Sequence, residues 1–307
     1  MADFAVRVIR PPEFEGVGEI GPFAAVMFTC RYLAQGDSWF SIGSIPPGLT
    51  SNLLDNLVLS RSAFVVNCAF PGAKLQRMTE TTRNVQFLRL LTGTMAVKWD
   101  AILLSGGGND LIEAAGSDPG QPANLRLLAT AAERGSGPIQ PDAYISNAGW
   151  KTFSDHLTAV FEQLVQARDS GMNRGVPLLF HTYAPLMPRP APAGLGFGPW
   201  LAPALSRFGV PSSDWLGVAQ ALIDRLHGLL QSLVDAHIQR DPDCALHLID
   251  TRNAGLVMAQ ADSSGVSGDF QNEIHLTNGG YAKLGKVWRQ TLDALDAYSA
   301  PGSLRRH

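Results

Sequence analysis

The sequence predicts an α/β fold: a three-layer α/β/α sandwich around a five-stranded parallel sheet. Two observations lead there. Short apolar runs alternate along the 307 residues with longer mixed stretches of helical periodicity. Most of the short runs are continuous rather than alternating in polarity, as expected of strands covered on both faces. Strands alternating with helices imply right-handed crossovers and hence a parallel sheet.

The strand runs are residues 32–35, 64–69, 101–105, 177–181 and 246–249, the start of the first being left open. Helical periodicity marks residues 51–60, 78–94, 152–168, 213–238 and 278–298. The cluster Ser212-Ser213-Asp214 offers an N-cap for the fourth helix and Thr277 one for the last. Two segments fit no such element. Residues 116–141 are rich in Gly, Pro and Asp around a short helical piece, 124–133, and read as a surface insertion. Residues 184–211 carry seven prolines and leave the carboxyl end of a strand, where open parallel sheets place their sites. That segment reads as a cap-like insertion in a single domain spanning 1–307.

Composition narrows the function. Hydrophobic content of 45% and charged content of 17% suit a globular chain with a sizeable core. The net charge of −3 and the lack of a basic cluster before Arg305-Arg306 argue against a nucleic-acid partner. No run is long enough to be an integral membrane segment. Glu13, Glu15 and Glu19 precede the apolar run 23–30, the wrong charge order for a signal peptide. The three cysteines, Cys30, Cys68 and Cys244, have no CxxC spacing, and the first two lie in apolar runs, which fits reduced, buried thiols. The localisation expected from these features is cytoplasmic. The sequence leaves the oligomeric state open.

The chemistry gathers at strand ends. The first strand run leads into Gly36-Asp37-Ser38-Trp39, the second into Phe70-Pro71-Gly72-Ala73, and the third into Gly106-Gly107-Gly108-Asn109-Asp110. Asn272-Glu273-Ile274-His275 stands before the last helix. Alone, Gly-Asp-Ser is ordinary turn chemistry, Gly72 a turn residue, and Asn109 or His275 a helix cap. Together, a serine, a glycine amide, an asparagine amide and a histidine on one sheet edge are the components of acyl transfer.

In these four blocks, correctly ordered from Gly36 to His275, the chain resembles the SGNH hydrolase superfamily of GDSL-type esterases and lipases. Trp39 stands where the family name has Leu. The resemblance implies a flavodoxin-like sandwich and a cofactor-free serine esterase with a small-molecule ester substrate. It implies Ser38 as nucleophile and His275 as base. It also implies an oxyanion hole made by the backbone N–H groups of Ser38 and Gly72 and the side chain of Asn109. Gly72 is then expected to be glycine because the backbone approaches the substrate closely.

One block departs from the pattern. The family's last motif is usually DxxH, and here Asn272 occupies the aspartate position. Either Asn272 or a neighbouring backbone carbonyl orients His275 in a serine–histidine dyad, or Asp269 or Asp250 replaces the acid, or the site is slow or inactive; Glu273 is expected to point elsewhere. Without long apolar loops for a lipid surface, a small or water-soluble ester is favoured. A carbohydrate O-deacetylase, a lipase or phospholipase, and a non-catalytic module on the same fold are the alternatives.

Other motifs carry less. Gly280 to Lys286 has phosphate-loop spacing but lies inside a helical pattern, with Val287 where Ser or Thr is needed. His156, His227 and His237 fall in helices without metal-ligand spacing. His181 either lines the pocket or is structural, and Trp39 and Trp200 pack on loops near the site.

Overall fold

The computed structural model describes residues 3–17, 27–41, 51–78, 80, 84–135, 139–194 and 196–299. The start of the apolar run 23–30 and the Arg305-Arg306 pair lie outside them.

The central sheet has six parallel strands: β1 (Arg7–Ile9), β2 (Cys30–Gly36), β3 (Ala63–Asn67), β4 (Ala101–Ser105), β5 (Leu178–His181) and β6 (Leu246–Ile249). Their order is β1-β3-β2-β4-β5-β6. Counted from β2, the last five strands run in the flavodoxin-like order 2-1-3-4-5. The predicted five strands are all present, and the count is corrected to six by β1, which pairs with β3 from Arg7↔Phe64 to Ile9↔Val66. A separate two-stranded antiparallel pairing joins Phe4–Ala5 to Val58–Leu59.

The apolar runs are continuous because both faces are covered. Phe180 of β5 meets Phe161 of α4 (Asn147–Asp169) with centroids 4.9 Å apart. Its neighbour His181 turns to the opposite face and meets Trp288 of α7 (Asn278–Ser299). α1 (Val85–Leu91) packs beside α4, and His237 of α6 (Trp215–Arg240) hydrogen-bonds Glu162 of α4, so these three share the first face. Ser146 caps α4 through the N–H of Gly149, and Thr277 Oγ1 accepts the N–H of Gly280 at the start of α7. Asp214 makes no cap hydrogen bond; its carboxylate accepts the hydroxyl of Tyr144 instead.

Three expectations are corrected. Residues 51–60 are not a helix but a 3-10 turn, Leu54–Asn56, followed by the strand Val58–Leu59. Of 78–94, only α1 is α-helical; the 3-10 turn Leu75–Met78 precedes it, and residues 79 and 81–83 lie outside the described residues. Residues 124–133 divide between the 3-10 turn Ala123–Leu125 and a short helix, α3 (Ala131–Arg134). Two further α-helices lie among the described residues: α2 (Gly108–Ala115), directly after β4, and α5 (Leu201–Arg207), inside the Pro-rich segment.

Candidate active site

β2 ends at Gly36, whose glycine identity has a packing cause. A Cβ there would lie 2.8 Å from the Cβ of Ser105 on the neighbouring β4. The chain then tightens: Asp37 N–H donates to Ser105 O at 3.0 Å, and the Asp37 carboxylate accepts the N–H of Trp39 at 3.0 Å. This turn carries Ser38 out of the sheet at its carboxyl edge.

Ser38 and His275 meet there, with Ser38 Oγ 2.7 Å from His275 Nε2. On the other side of the ring, Nδ1 stands 3.1 Å from Oδ1 of Asn272. The same oxygen accepts the backbone N–H groups of Ile274 at 3.1 Å and His275 at 2.9 Å. Backbone N–H groups can only donate, so they fix which end of the amide faces the imidazole. Facing an acceptor, Nδ1 carries the ring proton, and the bare Nε2 is left toward the serine. Asn272 Nδ2 is buried and has no hydrogen-bond partner among the described residues. Burial holds the His275 pKa down at about 4.

Neither alternative acid reaches the ring. Asp269 accepts from Lys283 Nζ at 2.7 Å and from the N–H of Val257. Asp250 is held by the Arg252 guanidinium, which pulls its pKa down to about 2. Glu273 points away, as expected. Its buried carboxylate accepts the N–H groups of Arg189, Trp200, Leu201 and Ala202, tying the Pro-rich segment and the first turn of α5 to the His275 loop. Arg189 closes the same junction by donating to Asn272 O at 2.8 Å.

Asn109 lies in the first turn of α2, whose N-cap is Gly107, so it is not a cap. Its side-chain amide donates to Ala73 O at 3.0 Å and so pins the 70–73 turn. That turn is also anchored by Phe70 N–H on Gly36 O. Gly72 sits in it at φ +72°, after Pro71, the sequence signature of a type II turn. Among the described residues nothing lies within 4 Å of a Cβ built at Gly72, and its left-handed backbone by itself favours glycine there. Gly72 is exposed and does not line the cavity shared by Ser38 and Asn109.

Beneath the serine runs a polar chain that the sequence did not reveal. Tyr183 Oη and Ser105 Oγ both donate to the buried Asp37 carboxylate, and Ser105 Oγ is 3.0 Å from His181 Nε2. Burial is the main influence on both titratable ends, raising Asp37 to about 6 and lowering His181 to about 3. His181 is therefore structural: it is buried, stacked on Phe40, and absent from the cavity lining. Tyr183 adopts φ +36° and packs edge-on to Trp39, and both residues line the cavity.

That cavity has a volume of about 50 Å³ and opens beside Ser38 and Asn109 between α2, α6 and the Pro-rich segment, which contributes Ala184, Leu186 and Leu201. Trp200 from the same segment stands edge-to-face against His275, with centroids 5.5 Å apart. The segment thus adjoins both the base and the cavity.

No family model matches the chain, and no curated protein matches it. Among solved structures, it is similar to a carbohydrate acetylesterase from Sinorhizobium meliloti, at 14% identity and a TM-score of 0.43 over 87% of this chain and 100% of that one. It is also similar to an acetylxylan esterase from Geobacillus stearothermophilus, at 12% identity and a TM-score of 0.39 over 85% of this chain and 93% of that one. Likenesses this distant assign no chemistry.

Proposed function

We propose that the chain is a serine esterase that hydrolyses carboxylic esters through an acyl-serine intermediate. The observation that carries this reading is the continuous relay Ser38 Oγ, His275 Nε2, His275 Nδ1, Asn272 Oδ1, with contacts of 2.7 and 3.1 Å. Ser38 Oγ attacks the ester carbonyl carbon while His275 Nε2 takes its proton. The negative charge moves to the carbonyl oxygen, stabilised by the N–H groups of Ser38 and Gly72 and by Asn109 Nδ2. Collapse breaks the carbon–alkoxy bond, and the imidazolium returns the proton to the leaving alcohol. Water, deprotonated by the same histidine, then attacks the acyl-serine and releases the carboxylic acid and the free serine.

Asn272 takes the part of the orienting acid without its charge. Replacing the aspartate of a serine protease by asparagine costs about 10⁴ in kcat because the wrong tautomer results. Here the two backbone donors on Oδ1 support the productive tautomer, so only the charge is missing. The same missing charge favours a second reading, a non-catalytic binding module.

Turnover of p-nitrophenyl esters by the wild type, Ser38→Ala and His275→Ala separates the two. The esterase reading requires turnover that falls by about 10³-fold or more in both variants. No turnover in the wild type, or equal turnover in all three proteins, overturns it.

A further inference from the structure

The cavity beside Ser38 is lined unequally. Asp37, Ser38 and Asn109 are its polar side chains, and Trp39 and Tyr183 its aromatic ones. The rest of the lining is largely aliphatic: Leu111 and Ile112 of α2, Leu186 of the Pro-rich segment, and Ala219, Leu222 and Ile223 of α6. Ile112 and Leu186 are half-buried, whereas Ala219 and Leu222 are 1% exposed, so the space runs inward from a rim to a closed floor. The Tyr183 hydroxyl and the Asp37 carboxylate, which border it, are already engaged. Tyr183 Oη donates to Asp37, and that carboxylate also accepts from Ser105 Oγ and the N–H of Trp39. A hydroxyl-bearing group placed in this space would lose its hydrogen bonds to water without replacement. An alkyl chain would lose nothing and gain burial.

We propose that this cavity is an acyl-chain pocket, and that the enzyme takes esters of straight aliphatic acids of about four to six carbons in preference to acetates. The proposal rests on the esterase reading of Ser38. The pocket's size sets the length. A water-sized group needs roughly 10–15 Å³ of this kind of volume, so about 50 Å³ admits roughly three to five such groups. A methylene is of similar size, which places three to five carbons beyond the carbonyl. The closed floor gives the preference an upper limit, and the alcohol half of the ester is left on the solvent side of Ser38.

The test is the kcat/KM series for p-nitrophenyl acetate through dodecanoate with the wild type, Ala219→Leu and Leu222→Ala. Each protein is also treated with a fluorophosphonate to label Ser38. In the wild type, kcat/KM rises about fourfold per methylene up to four to six carbons, and it falls for the decanoate. Ala219→Leu raises the floor and shifts the optimum toward acetate; Leu222→Ala deepens it and shifts the optimum to longer chains. A wild-type optimum at acetate or at ten or more carbons, with Ser38 labelled, overturns the acyl pocket and leaves the esterase reading standing. So does an unshifted optimum in both labelled variants. Absence of both labelling and turnover in the wild type overturns the esterase reading itself, and the pocket with it.

Discussion

Asn272 and His275 are joined twice through one atom: Oδ1 of the asparagine accepts both the ring Nδ1–H, at 3.1 Å, and the backbone N–H of the histidine, at 2.9 Å. The arrangement supplies geometry without charge. Asn272→Asp is therefore expected to keep the geometry and add the charge. The imidazolium formed in the transition state gains a partner, so kcat should rise by about tenfold. Asn272→Ala removes the orienting acceptor and should lower kcat by about 10² or more. Steady-state kinetics on the two variants checks both; a fall in kcat for Asn272→Asp in a folded protein counts against the uncharged relay.

The pH profile carries a second expectation. The base works as neutral imidazole, and burial holds His275 at about 4, below the ordinary value of 6.5. The acid limb of kcat/KM, which reports the free enzyme, should therefore lie near pH 4 to 5. A carboxylate at 272 favours the charged ring, so Asn272→Asp should move that limb upward. An acid limb at pH 6.5 or above in the wild type would contradict the burial of the base.

Stability should fall on the acid side for a related reason. His275 and His181 are lowered to about 4 and about 3, so between these values and 6.5 the unfolded chain binds protons that the folded chain does not. Stability is full above 6.5 and is lost as pH falls, on the order of 2 kcal/mol per histidine by pH 5. Asp37 opposes this. Raised to about 6, it takes up a proton in the folded state before the unfolded one as pH falls from 6 toward 3.8. Denaturant titrations at pH 7 and 5 should show a net loss; a gain would mean that Asp37 outweighs both histidines.

The cap junction offers a fourth test. Glu273 accepts four backbone N–H groups from residues 189 and 200–202. Glu273→Ala leaves these donors without their acceptor and should cost on the order of 3 kcal/mol. Glu273→Gln keeps one acceptor oxygen and should recover part of that. Because Trp200 contacts His275 across this junction, the alanine variant should also lose kcat. Equal stability of both variants and wild type would show that the junction does not hold the cap.

Much of this was legible in the residues. The five longer strands were visible because continuous apolar runs are what burial on both faces demands, and the site motifs stood at their ends. β1 was not, since its three residues grade from exposed to buried and present no run. Residues 51–60 misled for a physical reason. Leu53, Leu54 and Leu57 have helical spacing and are buried together with Leu59, yet the four reach the core from a 3-10 turn and a short strand. The polar chain under Ser38 was illegible because Asp37 and Tyr183 are 146 positions apart and meet only when β2 and β5 flank β4. Asn272 was legible as a departure, but its double hold on His275 depends on backbone N–H directions that residue identities do not encode.

Covalent labelling tests the central claim most directly. A fluorophosphonate reacts with a serine whose hydroxyl is activated by a neighbouring base, and peptide mapping by mass spectrometry locates the adduct. The relay predicts one rapid adduct on Ser38, abolished in Ser38→Ala and slowed by about 10³-fold or more in His275→Ala. An adduct on a different serine, or none on the folded wild-type protein, would contradict the assignment of Ser38 and His275 as nucleophile and base.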